Sequence, residues 1–224
     1  PLADLKSTPY NPDKRTLSLA AERLLKWQKE RAVPCNRKLR VVYYTPSDRE
    51  PQADYVNRLT RVMKHVQEFY ASQFTRYGFE KSRLALDLDA AGNLKIILVR
   101  GVTKNQDFTF AKRDEHNGAM KNDITDEMLR QGFNADKETV LVFNNLVDYD
   151  PVNQTTNLRS PYSGEGSSLR GWCWQVDSAI LDPQLLGEKS RFVTDGEYRK
   201  ISLGEYNSIF IGGVAHELGH ALGL

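Results

Sequence analysis

His216-Glu217-Leu218-Gly219-His220-Ala221-Leu222-Gly223-Leu224 places two histidines four residues apart. On an α-helix that spacing puts both imidazoles on one face, one turn apart. Two nitrogen donors so arranged can hold half of the ligand shell of a tetrahedral Zn²⁺. Glu217 lies between them, displaced around the helix, where its carboxylate reaches a water on such an ion without ligating the metal. The residues leading in, 209–215, are apolar, so the pair belongs to a helix packed on a core, with Ser208 expected as its N-cap. In so apolar a helix a charged Glu needs a partner, which a metal and its water would supply. Gly212 and Gly213 each cost a helix interior about 1 kcal/mol. Their expected return is tight packing of that helix under a sheet.

The preceding chain reads as alternating strands and helices. Residues 1–15 form a Pro-rich, charged arm, and 16–32 carry a helical apolar face that ends at Pro34. The β-branched and aromatic run 40–45 is a strand. A long helix follows, expected to open near Pro51 and to close at Gly78, with Val56, Leu59, Met63, Val66, Tyr70 and Tyr77 as one buried stripe. Residues 84–88 and 94–99 flank a turn and read as a hairpin. A short helix is expected over 123–131, and 139–143 is an unbroken apolar strand. The polar stretch 144–171 reads as a long loop of the kind that is functional or mobile. Gly171, Trp172, Cys173 and Trp174 begin a short aromatic strand, with 179–181 as its continuation. These elements predict one α/β (α+β) domain over 38–224, a mixed twisted sheet backed by a long helix and by the histidine helix, preceded by an arm and helix at 1–37.

His-Glu-x-x-His on a helix is the signature of zinc peptidases, with the Glu as general base. The longer stretch 216–223 resembles the metzincin signature, His-Glu-x-x-His-x-x-Gly-x-x-His, and the order of elements over 38–224 resembles the metzincin upper subdomain. The resemblance implies a zincin-like fold and a zinc-dependent endopeptidase. His216 and His220 would be metal ligands and Glu217 the catalytic base. Gly223 would give a left-handed turn that leads the chain back to a third ligand. It also implies that peptide or protein substrate pairs with an edge strand, for which Gly171, Trp172, Cys173 and Trp174 are the candidates. The third ligand would fall at position 226, beyond Leu224, so the resemblance implies an N-terminal portion of a larger peptidase with a C-terminal subdomain to follow. The enzymatic alternative is a thermolysin-like zincin with a downstream Glu ligand. Another is a non-catalytic, partner-binding fragment with an incomplete metal site.

Other features bound the reading. The net charge of +2 comes from mixed charges without a basic block, which argues against a nucleic-acid partner. No apolar run is long enough to span a membrane. Pro1 stands where a Met would begin a primary product, and the expectation is a processed chain, secreted or periplasmic. Cys35 and Cys173 form no Cys-x-x-Cys pair, which leaves either a disulfide or two thiols. Cys35 could also cap a metal from a prosegment, but residues 33–37 lack the matrixin switch motif. His65 and His116 read as solvated, Asp148 and Asp150 as loop carboxylates rather than a calcium loop, and Asn153 as a glycosylation acceptor in a secreted eukaryotic chain.

Overall fold

An apolar run stays buried on both faces only in a sheet covered on both sides, and Val140, Leu141, Val142 and Phe143 are all 0% exposed. In a computed structural model the chain divides into two units, Pro1–Asn36 and Arg37–Leu224. The structure describes residues 15, 18, 19, 21–23, 26, 38–79, 82–108, 113–158, 162–196 and 199–224. The described residues of the first unit are helical, as the apolar spacing predicts. Cys35 and Pro34 lie outside the described residues, and so do the prosegment and disulfide readings that depend on them.

The second unit runs β1 (Arg40–Thr45), α1 (Tyr55–Arg76), β2 (Ile96–Arg100), α2 (Arg113–Arg130), β3 (Thr139–Asn144), β4 (Val147–Asp150), β5 (Thr155–Leu158), β6 (Ser163–Gly166), β7 (Gly171–Val176), β8 (Phe192–Asp195), β9 (Arg199–Ser202) and α3 (Leu203–Leu222). The main sheet has the order β2-β1-β3-β7-β6. Its first four strands are parallel and β6 is antiparallel to β7. Alternate residues feed two cores. Val41, Tyr43, Leu141, Phe143 and Cys173 pack with α1 and α3, while Val42, Tyr44, Val140, Val142, Trp172 and Trp174 pack with α2. A smaller sheet has the order β4-β5-β8-β9. This is the mixed α/β, zincin-like architecture that the sequence predicts. Among the described residues no helix is long and apolar enough to cross a membrane.

Several local expectations change. Helix α1 begins at Tyr55, four residues beyond Pro51, behind Asp54 in a left-handed conformation. Tyr77 is 70% exposed and caps the helix end instead of joining its stripe. The hairpin at 84–99 reduces to one antiparallel bridge, Leu88 to Leu94, because Ile96–Arg100 pairs with β1 in parallel. Helix α2 starts ten residues before the expected 123. Among its described residues Met120, Ile124 and Met128, spaced by four, are the buried ones in an otherwise polar sequence, a stripe too narrow to stand out. Residues 179–181 form no strand.

The connection from β7 to α3 is held by buried charge. Arg58 on α1 makes paired hydrogen bonds to Asp177 at 2.7 and 2.8 Å, and Tyr43 donates to the same carboxylate at 2.7 Å. Arg58 also donates to the Ser178 and Leu181 carbonyls. Burial works against the Arg58 cation, but the hydrogen bonds and charge of Asp177 outweigh it and raise its pKa. Farther along, Ser190 and Arg191 converge on the Glu188 carboxylate, and Gly204 at the start of α3 donates to the Glu188 carbonyl.

Two outcomes follow. Arg58→Leu strands a buried carboxylate and should cost ~3–5 kcal/mol in urea unfolding, whereas Arg58→Leu with Asp177→Leu should recover part of that loss. The Glu188 carboxyl is pulled down to about 2 from its ordinary 4.5, first by the Ser190 hydroxyl and then by the Ser190 amide and Arg191. Its folded pKa is depressed, so the stability it adds is present above about 4.5 and is lost as the pH falls towards about 2. NMR titration of Glu188 checks the value. The stability difference between wild type and Glu188→Gln should shrink over that same window.

Candidate functional site

Helix α3 carries the histidine pair, and its start is fixed by local chemistry. Ser202, not Ser208, is the N-cap. Its hydroxyl accepts from the Glu205 amide at 3.2 Å, and the Glu205 carboxylate accepts from the Ser202 amide at 2.8 Å. The buried stripe Leu203, Tyr206, Phe210, Ile211, Val214, Leu218 and Ala221 seats the helix on the sheet. Asn207, also buried, accepts from the Asp182 amide at 2.7 Å and donates to the Ile180 carbonyl at 2.9 Å. Nearer the motif, Tyr70 of α1 donates to the Ala215 carbonyl at 2.7 Å, and Gln175 of β7 donates to the Gly213 carbonyl at 3.3 Å. The helix is thus anchored from two neighbouring elements in the turn that precedes His216.

His216 and His220 are exposed and Glu217 is half-buried. The imidazoles are therefore open to solvent, and their geometry is the informative feature. The two Nε2 atoms stand 3.2 Å apart, with the rings 4.7 Å apart at 89°. Two nitrogens at the usual zinc distance span a tetrahedral edge of about 3.3 Å. The pair therefore fits as half of such a site. Among the described residues no cluster of three or more His, Cys, Asp or Glu side chains is placed to hold a metal ion. Helix α3 ends at Leu222, and Gly223 follows at φ 72°, ψ 33°, the left-handed turn expected at that glycine.

The four residues expected at a substrate edge lie on an interior strand of the sheet. Gly171, Trp172, Cys173 and Trp174 belong to β7, which is paired on both sides, with Cys173 opposite Leu141 of β3 and opposite Gly164 of β6. A strand with both edges taken has no backbone groups left for a peptide. Trp172 and Trp174 stack on each other at 5.5 Å within the α2 core. Cys173 faces α3 as a buried free thiol. Burial pushes its pKa far up, Gln175 opposes this weakly and the Glu217 charge adds to it, so the thiol stays protonated.

The edge is β6, inside the stretch that reads as a loop. Its Ser-Gly-Glu-Gly sequence hides a strand because glycine is depleted from strands. The available signal was the spacing by two of Gly164 and Gly166. Helix α3 and β6 touch through their backbones: a Cβ at Gly164 would overlap the Glu217 carbonyl oxygen, and one at Gly166 or Gly171 the Ala221 carbonyl oxygen. The edge strand thus runs directly along the helix turns that carry His216, Glu217 and His220. At the Gly166 end a cavity of about 450 Å³ opens, lined in part by Lys121, Glu165, Arg170 and Trp172. Elsewhere, His65 is exposed on α1, where it lines a cavity of about 220 Å³ with Gly212 and Ala215 of α3, and the His116 side chain lies outside the description. Asp148 and Asp150 lie on β4 and not in a loop, and Asp150, at the strand end, accepts from the Val152 and Asn153 amides of the turn that follows.

No protein-family model matches the chain, and no curated protein matches it. Solved structures do. OgpA from Akkermansia muciniphila, as wild type in two crystal forms, matches at a TM-score of 0.66 and 25% identity over 84% of this chain. A catalytically inactive OgpA in complex with an O-glycopeptide (glycodrosocin) substrate matches at 0.66 and 24% identity, again over 84% of this chain. The chain spans about half the length of these structures, 48% of each. The likeness places its zincin-like sheet and helices beside those of OgpA.

Proposed function

We propose that this chain contributes the nucleophile-activating half of a zinc-dependent endopeptidase of metzincin type. The observation that carries the reading is the 3.2 Å separation of the His216 and His220 Nε2 atoms on a helix whose Glu217 backbone abuts Gly164 of β6, a terminal strand of the main sheet. His216 and His220 would hold the ion. Such an ion supplies Lewis acidity, which polarises a carbonyl and lowers the pKa of an adjacent water. A third ligand is part of the proposal, and the left-handed Gly223 supports the metzincin arrangement over the thermolysin-like one.

In this reading, Glu217 accepts a proton from the attacking water as its oxygen bonds to the scissile carbonyl carbon. As the C–N bond breaks, the same carboxylate delivers that proton to the leaving amine. The outer edge of β6 orients the substrate by adding it as a further strand, main chain to main chain. The O-glycopeptide held by inactive OgpA supports a peptide substrate and makes O-glycosylated peptides the first to try.

Three experiments test the reading on the intact protein. Glu217→Gln should lower peptide cleavage by about 10²–10⁴-fold while leaving bound zinc, measured by metal analysis, unchanged; cleavage at the wild-type rate would remove the general-base role. His220→Ala should lose both zinc and activity. Chelator treatment of the wild type should abolish cleavage, with recovery on added Zn²⁺, and a chelator-resistant peptidase would sink the metal assignment.

A further inference from the structure

Three contacts between β6 and α3 fall in one register. Tyr162, just before β6, lays its hydroxyl where a Cβ of Gly213 would stand. Gly164 meets the Glu217 carbonyl, and Gly166 meets the Ala221 carbonyl. Every second strand position thus meets every fourth helix position. The steps agree: two strand residues advance about 6.8 Å and four helix residues about 6.0 Å. Beyond them, Gly223 closes the row against the backbone of Ser167.

At each of the three contacts one partner lacks a side chain. Gly164, Gly166 and Gly213 are not among the residues with positive φ. Their backbones could therefore accept other residues, and close approach is what calls for glycine. Gly213 lies in a helix interior, where glycine is disfavoured. Its neighbour Gly212 meets nothing within 4 Å. Tight packing therefore accounts for Gly213 and not for Gly212. The helix cannot retreat from the strand, because Tyr70 and Gln175 bind the Ala215 and Gly213 carbonyls. A side chain at Gly164 or Gly166 would strike the helix backbone, and one at Gly213 would displace the Tyr162 ring that leads into the strand.

We propose that Tyr162 is a positioning residue: seated on Gly213 and acting with Gly164, it sets the height of the β6 edge above Glu217. It thereby sets where the scissile carbonyl of a β6-paired peptide lies. The proposal rests on the peptidase reading above. A small outward shift of β6 leaves its backbone able to pair with peptide but misplaces the carbonyl, so the loss belongs in kcat and not in KM.

The test is a double-mutant cycle on the intact protein with a peptide that the wild type cleaves. Gly213→Ala puts a methyl group into the Tyr162 hydroxyl and should lower kcat at least tenfold, with KM changed less than threefold. In a Tyr162→Ala background, Gly213→Ala should lower kcat no further, since the room has been vacated. Gly212→Ala, one residue away in open space, should keep wild-type kcat. Zinc content and circular dichroism must stay at wild-type levels throughout. Tyr162→Phe, the milder change, replaces Tyr162→Ala if the latter does not fold, and it should reduce the Gly213→Ala effect. Equal losses from Gly213→Ala in both backgrounds, or a loss confined to KM, overturn the positioning role. A wild type that cleaves no peptide overturns the peptidase reading instead, and the positioning role falls with it.

Discussion

The Arg58–Asp177 ion pair is the constraint on which the placement of the motif helix depends. Both groups are nearly inaccessible, so removing either would leave the other's charge buried without its partner. Asp177 follows the last residue of β7, and Arg58 sits on the first turn of α1. Their bond, with those of Arg58 to the Ser178 and Leu181 carbonyls, clamps the segment leaving the sheet against the long helix. The segment then continues into Asp182, which binds Arg61 through its carboxylate and Asn207 through its amide. Asn207 is on α3. One buried charge pair thus begins a chain of polar contacts from sheet to long helix to motif helix.

Polar anchoring explains why α3 can lie so close to the sheet. Backbone-to-backbone approach gains dispersion contacts but tolerates no side chain between the partners. The chain meets that demand with glycine on the strand opposite Glu217 and Ala221, and with glycine on the helix opposite Tyr162. The stacked Trp172 and Trp174 hold the other face of β7 against α2. The site is therefore a rigid helix and a rigid strand in contact, with the two imidazoles left facing solvent.

Legibility differed by element for physical reasons. β1 and β3 are read correctly because apolar, β-branched runs have few other uses. Their neighbours in the sheet are harder: β2 lies in what looks like a hairpin arm, since a local turn and a distant parallel partner compete for the same residues. Helix α2 presents one thin stripe, and β6 consists of small and polar residues whose value lies in what they leave out. The aromatic residues of β7 announce a strand, but they do not announce whether it has one neighbour or two.

The spacing of His216, Glu217 and His220, the helix that carries them, the turn at Gly223 and the mixed α/β class follow from the sequence alone, because each rests on local periodicity or on a residue's own backbone preference. The order of strands, the identity of the free edge, the helix start at Ser202 and the contacts of Gly164, Gly166 and Gly213 are decided by tertiary structure. They depend on which distant backbone comes close, and a glycine gives no sign in the sequence of what it will lie against.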